Sequence, residues 1–481
     1  MMTVHKRAMR AAAQFVKFRD DTSGNVAIVF ALMGVVLMLA IGAAVDIGRW
    51  LHARDQTIAA VDAAVLAGGR SLQTTNSDGS AAIAAAKKYY DENVTSRLKV
   101  IDDTVKFTVA PDGMGITASG SAYIKTPFLQ FAAVDKLPLI STSEAEFGKS
   151  QIHVGGEGGE NIEIALMLDI TGSMCNTAPG ANQPACTSGR KIDAMKAAAT
   201  KLVRIVVPDG ESKYTSKVAI IPFSDSVRLP ASAITKAMGN PAKSITKTTG
   251  SGSNKKTYYY NRTEPCVVER AGTNRYKDVA PSANNYSMPI RWDVGDSKKN
   301  NYADCTLGTE SEILPLTTHE QTLVDKIDAL KGKGGTAGQV GTAWAWYTLA
   351  PNWKSLWASE SQPVAYNTPK TRKIAILMTD GEYNTEYTSE GIKTGSPGAG
   401  SAANGTSAAQ AKELCKAMKK TDVNIEIYTV GFEVGNSASA NDVLSSCATK
   451  PGMYYDAEDE EELAQAFIDI ALKVSSLYLS K

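Results

Sequence analysis

The stretch Ile162-Glu163-Ile164-Ala165-Leu166-Met167-Leu168-Asp169-Ile170-Thr171-Gly172-Ser173 decides how this chain is read. Its first seven residues are an apolar run bounded by polar ones, the pattern of a strand buried on both faces. An acid and two hydroxyls follow at its end. Residues 191–207 then read as a helix with Ile192, Met195, Ala199, Leu202, Ile205 and Val206 on one stripe. Beyond it come strand-like 218–223, helical 321–330, a second apolar strand at 374–378 ending in Thr379-Asp380-Gly381, helical 408–420, strand-like 425–430 and a last helix over about 460–479. Strands alternating with helices predict an α/β fold, a doubly wound and mostly parallel sheet.

Ligands of such sheets bind beyond the carboxyl ends of the strands, where the strand order switches. Asp169, Thr171, Ser173 and Asp380 all fall at expected carboxyl ends, and the loop Gly332-Lys333-Gly334-Gly335-Thr336 joins two expected helices. Two carboxylates and three hydroxyls make an all-oxygen donor set without Cys or His. Such a set suits a hard cation, Mg²⁺ first, with Mn²⁺ or Ca²⁺ as alternatives. So few charged donors would leave the ion net positive and one coordination position open to an Asp or Glu of a partner protein. Taken singly, Asp169 with Thr171 reads as a helix cap and Thr379-Asp380-Gly381 as a turn. Their joint order at strand ends points to a metal site.

The same five residues resemble the von Willebrand factor type A domain with its metal-ion-dependent adhesion site, Asp-x-Ser-x-Ser, then a distant Thr, then a distant Asp. Asp169, Thr171, Ser173, Thr336 and Asp380 match in order, with Thr171 keeping the hydroxyl of the first Ser. The resemblance covers about residues 160–475 and implies metal-dependent binding of a protein partner. An enzyme is the competing class. The strand ending in Asp169 is similar to that of haloacid-dehalogenase-type phosphatases, but position 171 is Thr where their second Asp stands. There is no Gly-x-Ser-x-Gly elbow and no phosphate-binding loop. A metal-dependent phosphohydrolase is therefore the weakest reading.

At the other end, residues 1–19 carry Lys6, Arg7, Arg10, Lys17 and Arg19 and no acid, and residues 26–45 carry no charged or amide side chain. Twenty helical residues span about 30 Å, the thickness of a bilayer's hydrocarbon core. The flanking bases favour a cytoplasmic N-terminus with the bulk of the chain outside. A cleaved signal peptide has a shorter apolar run, about 7–15 residues, so an uncleaved anchor is expected. Beyond the span, Ile47, Leu51, Ile58, Val61 and Val65 form a heptad-like seam, and Gly68-Gly69 is expected to end a helix running from about 25 to 67. The seam suits either its own domain or a partner helix.

Gly24 to Leu32, Val45 to Arg49 and Ala59 to Ala67 together resemble the N-terminal segment of TadG-like tight-adherence (Flp) pilus assembly proteins. That resemblance implies a single-pass protein of the bacterial inner membrane, with a periplasmic bulk and pilus assembly components as partners. The fifth residue after Gly24 is Val29 rather than the Glu of prepilin-type substrates, so prepilin peptidase processing is not expected. The alternative to an adhesion role is a pseudopilin-like scaffold assembled through the long helix.

The expected organisation is a cytoplasmic segment (1–24), the helix and its extension (25–70), a small α+β region (71–150), a Gly-rich linker (151–160) and the large domain (161–481) with an insertion at about 231–312. In the small region, 81–93 reads as helix, and 105–109, 115–120 and 122–124 as strands, with a Pro111-Asp112-Gly113 turn.

The chain's 481 residues agree with about three such units. With 51 Lys+Arg against 50 Asp+Glu, the net charge of +1 disfavours nucleic-acid binding. The six cysteines all lie beyond residue 170, outside the membrane, and suggest disulfides. Nearest-neighbour pairing gives 175–186, 266–305 and 415–447, one of 15 connectivities that six cysteines allow. No Cys-x-x-Cys occurs, which disfavours zinc. The acids Asp456, Glu458 and Asp459 to Glu462 suit the positive end of the last helix.

Overall fold

The computed structural model describes residues 25–74, 79–94, 98–109, 115–140, 149–153, 160–175, 186–207, 214–270, 272–282, 285–293, 305, 307–394, 402–435 and 437–480. The basic segment 1–24 and the Pro111-Asp112-Gly113 turn lie outside them.

Helix α1 runs Asn25–Thr74, 50 residues and about 75 Å. It does not stop at Gly68-Gly69 as expected. Helix α2 (Gly79–Val94) packs against α1 at that point, and a Cβ on Gly68 would lie 2.9–3.0 Å from Ile116 Cγ1, the Ala82 carbonyl and Ala86 Cβ. Gly68 is therefore a crossing point, where a missing side chain lets the second helix approach. The expected seam also divides. Val61 and Val65 are buried with Ala53, Ala60, Ala64 and Leu72, whereas Ile47, Leu51 and Ile58 stay 38–45% exposed on the outer face.

Small antiparallel strands complete this module. β1 (Val100–Ile101), β4 (Tyr123–Lys125) and β5 (Lys136–Pro138) form one sheet, and β2 (Lys106–Val109) pairs with β3 (Ile116–Ser119) in another. The expected linker is partly strand. β6 (Lys149–His153) pairs with β3, and residues 154–159 lie outside the described set.

The large domain is the expected doubly wound α/β fold. Strands β7 (Asn161–Asp169), β8 (Ser216–Phe223), β13 (Leu314–Thr317), β14 (Thr371–Thr379), β15 (Ile425–Phe432) and β16 (Tyr454–Ala457) lie in the order β13-β8-β7-β14-β15-β16. All pairs are parallel except the edge pair β13–β8. Helices α3 (Arg190–Val206), α5 (Glu320–Ala329) and α9 (Glu460–Val474) cover one face, and α6 (Gly338–Leu349), α7 (Ser407–Met418) and α8 (Ala438–Cys447) the other. Strands covered on both faces must be apolar throughout, which is why 162–168 and 374–378 read as unbroken runs. Glu163 is the exception, and it is tolerated because the buried Lys373 on the neighbouring strand pairs with it.

The last helix is shorter than expected. It stops at Val474, and β17 (Ser476–Ser480) pairs antiparallel with β6, residue 476 opposite 153 and 480 opposite 149. The large domain is thus inserted between two neighbouring strands of the helix module's sheet. The 231–312 segment is no plain loop either. After α4 (Ala231–Met238), strands β10 (Ser244–Thr249), β11 (Lys256–Arg270) and β12 (Ser287–Asp293) form an antiparallel sheet, which β11 joins to β9 (Val227–Arg228). The cysteines pair as 175–186, 266–305 and 415–447.

Replacing Gly68 by Val is expected to destabilise the helix module by about 1–3 kcal/mol through overpacking. Gly48→Ala, where no atom lies within 4 Å of an added Cβ, should leave stability unchanged or slightly raised. Thermal unfolding of the two variants in detergent checks the contrast.

Candidate functional site

The sheet order places its switch between β7 and β14, since β7 leads outward to β8 on one side and β14 to β15 on the other. Register pairs Met167 with Leu377, so the two strands end level, Asp169 beside Thr379 with Asp380 next. Asp169, Thr171 and Asp380 are all buried, and Ser173 is partly so. Four of the five expected residues meet through direct hydrogen bonds. Thr171 Oγ1 and Ser173 Oγ are 2.8 Å apart, and Ser173 Oγ donates to Asp380 Oδ1 at 2.7 Å. Asp169 Oδ1 accepts from the Thr171 amide at 2.8 Å, and its Oδ2 accepts from Thr379 Oγ1 at 2.7 Å.

Thr336 is buried on the adjoining loop and is brought in through its backbone. The Gly172 amide donates to the Gly334 carbonyl at 2.9 Å, and the Lys333 amide to the Ile170 carbonyl at 2.8 Å. Asn384, four residues past Asp380, closes the third side. Its amide donates to the Thr336 carbonyl at 2.9 Å, and its Oδ1 accepts from the Thr336 amide at 3.2 Å. Gly334 sits at φ +95°, a left-handed turn that glycine takes without strain, and a Cβ there would collide with Ser224 Oγ. The 175–186 disulfide rests on this loop, with Cys186 and Gly332 exchanging both backbone hydrogen bonds at 2.9–3.0 Å.

Burial, followed by the charge of Asp380, pushes the Asp169 carboxyl up to about 7, against opposing hydrogen bonds from Thr171 and Thr379. Two carboxylates are thus crowded together at low dielectric and call for a positive charge. Part of it comes from Lys191, in the first turn of α3. Its Nζ lies 3.1 Å from Asp380 Oδ2 and 3.5 Å from Glu433 Oε2. Thr379 is read from the sequence only as part of the strand end, and Lys191, Glu433 and Asn384 are not read as site residues, since nothing in the sequence links Lys191 or Glu433 to the strand ends.

The residues present fit a hard divalent cation. Thr171 Oγ1, Ser173 Oγ and Asp380 Oδ1 form a hydrogen-bonded chain with 2.7–2.8 Å steps, and hydroxyl and carboxylate oxygens are the donors such an ion takes. Among the described residues, no group of three or more His, Cys, Asp or Glu side chains forms a metal-holding cluster, so any ion here would rest mainly on neutral oxygens.

The insertion buttresses this face. Arg291 on β12 donates from its amide to the Gly391 carbonyl and from Nε to the Glu390 carbonyl, both at 2.9 Å, which holds the loop that follows Asp380. On β11, buried Glu269 accepts from Gln339 Nε2 at 2.8 Å, three residues past Thr336, and from Gln410 and Asn404. Burial raises the Glu269 carboxyl to about 6.

Residues 24–71 match the family model described as putative Flp pilus-assembly TadE/G-like, so this N-terminal segment is TadE/G-like. No curated protein matches the chain in sequence. Among solved structures, the chain is similar to the vWF domain of the type V pili tip protein Mfa5 from Porphyromonas gingivalis, at 13% identity over 65% of this chain and 94% of that one, with a TM-score of 0.36. It is also similar to the PilB minor pilin from Streptococcus sanguinis (14% identity, 78% of this chain and 79% of that one, TM-score 0.34). A third is the pilus adhesin RrgA from Streptococcus pneumoniae (11% identity, 80% of this chain and 56% of that one, TM-score 0.39). The architecture given above rests on strand order and register, not on these likenesses.

Replacing Cys175 and Cys186 together by Ser is expected to lower the stability of the large domain by about 2–3 kcal/mol, the modest loop-closure entropy of a bridge between cysteines 11 positions apart. Denaturant titration of the variant, compared with the parent under oxidising conditions, measures this.

Proposed function

We propose that this chain is a membrane-anchored, non-catalytic pilus assembly and adhesion protein, whose von Willebrand type A-like domain holds a protein partner through a divalent metal. The observation that carries the proposal is the convergence of Asp169, Thr171, Ser173 and Asp380 at the sheet's switch point, beside the loop of Thr336. The TadE/G-like segment supports the pilus setting. Its helix, apolar over 26–45 and long enough to cross a bilayer, supports a single-pass anchor in the bacterial inner membrane, with the N-terminus cytoplasmic and the large domain periplasmic.

When bound, Mg²⁺, or else Mn²⁺ or Ca²⁺, supplies a positive centre with a coordination position free for an Asp or Glu of the partner. The chain's own residues do the rest. Asp169, Thr171, Ser173, Thr336 and Asp380 would hold the ion, and Asp169 also fixes the 169–173 turn through the Thr171 amide. Lys191 neutralises Asp380 from the side and so competes with the ion for that carboxylate. Adhesion of this kind needs no proton transfer or nucleophile.

Exposed Ile47, Leu51 and Ile58 favour a second reading, in which the outer face of α1 assembles against other helices and the large domain decorates the scaffold. The two readings separate by mutation. Asp169→Ala should abolish the rise in melting temperature that Mg²⁺ gives the full chain in detergent and should abolish partner capture, leaving assembly intact. Leu51→Glu with Ile58→Glu should do the reverse. Lys191→Gln should tighten Mg²⁺ binding measured by calorimetry. A full chain that binds no divalent ion, parent and Lys191→Gln alike, would sink the metal reading.

A further inference from the structure

The segment Thr126-Pro127-Phe128-Leu129-Gln130-Phe131-Ala132-Ala133-Val134 contains no charged side chain, yet it lies on the outside of the helix module. Phe128 is 44% exposed and Phe131 76%, with Ala132, Ala133 and Val134 also exposed. An apolar loop facing water normally leaves its amides to be solvated. Here most of them are bonded within the protein. The amides of Phe128 and Leu129 both donate to Asp46 Oδ2 at 2.8 Å. Those of Gln130, Phe131, Ala133 and Val134 donate to Thr126, Phe128, Gln130 and Leu129 carbonyls at 3.0–3.2 Å. Apolar side chains turned outward over backbone amides that are already bonded suit a hydrocarbon environment better than water.

The position of the segment supplies the second observation. It packs on α1 at Gly42, where an added Cβ would lie 2.7 Å from Phe128 Cβ and Cγ. Gly42 is three residues inside the end of the uncharged run 26–45, which puts the Phe128 side chain about 4.5 Å within the apolar length of the helix. Asp46, the first charge after that run, is buried and holds the start of the segment at this level. Around it stand the groups typical of a headgroup belt. Trp50 Nε1 donates to the Pro138 carbonyl at 2.7 Å, Lys136 Nζ lies 4.3 Å from the Tyr123 ring centre, and Arg49 is 3.6 Å from Asp46.

We propose that residues 126–134 form a membrane foot, with Phe128 and Phe131 entering the acyl chains of the leaflet on the large-domain side, against the helix that crosses it. This rests on α1 spanning the bilayer. The foot gives the module a second point of attachment beside the helix and so restricts its tilt and rotation at the surface.

The test uses the full chain in phosphatidylcholine nanodiscs. All six cysteines are in disulfides, so a new thiol is labelled alone. Single variants Phe131→Cys, Met38→Cys in the middle of the run and Glu458→Cys on the exposed large domain each carry an environment-sensitive fluorophore. Expected at residue 131 is loss of fluorescence with lipids bearing a doxyl group near the carbonyl end of the acyl chain, smaller loss with the group near the terminal methyl, and protection from aqueous iodide. Residue 458 should show the opposite. Iodide quenching at 131 equal to that at 458 overturns the foot. So does a label shielded from both iodide and doxyl, which would mean another protein surface covers the segment. If Met38→Cys is quenched by doxyl lipid while 131 is not, the foot alone fails. If neither is quenched, the spanning helix fails with it.

Discussion

Two carboxylates ending side by side on adjacent parallel strands are the constraint around which the large domain is arranged. Parallel pairing in register brings Asp169 and Asp380 to one edge, at the point where the strand order switches. Burial first, and then the neighbouring charge of Asp380, raises the Asp169 carboxyl to about 7. Three neighbouring pieces supply donors or a cation: the Thr171 amide and Ser173 hydroxyl of the 169–173 turn, the Thr379 hydroxyl and the Lys191 ammonium. The same need for positive charge makes the spot suitable for a hard ion.

The loops around this edge are held by pieces remote in sequence. The 175–186 bridge lies against Gly332, Asn384 ties the loop after Asp380 to Thr336, and the inserted sheet reaches in through Arg291 and Glu269. Each contact removes freedom from a segment whose backbone would otherwise be free to drift. These contacts hold the loops in place without any ligand, so a ligand bound there would cost little in ordering.

The helix module works by different physics. Two glycines set it: Gly68 lets α2 cross α1 closely, and Gly42 seats Phe128. The chain's last strand then returns to pair with the strand that leads into the large domain. Both covalent exits from that domain are therefore fixed to one small sheet beside the apolar helix α1. A domain tethered twice at neighbouring points presents a defined face, whereas a single flexible linker would let it tumble.

By itself the sequence determined whatever is local and periodic. The apolar runs at 162–168 and 374–378 had to be covered strands, the uncharged run at 26–45 had to be a long apolar helix, and acids and hydroxyls at strand ends marked Asp169, Thr171, Ser173 and Asp380. Tertiary structure alone decided the rest. Gly68-Gly69 reads as a helix stop because glycine is a poor helix former, but the close crossing of α2 outweighs that preference. Residues 476–480 read as helix by continuity, and a waiting strand edge made them β. Lys191 came to Asp380 only because α3 packs beside the sheet. Pairings between residues hundreds of positions apart leave no periodic trace in the chain, since the energy that fixes them comes from partners the local pattern does not contain.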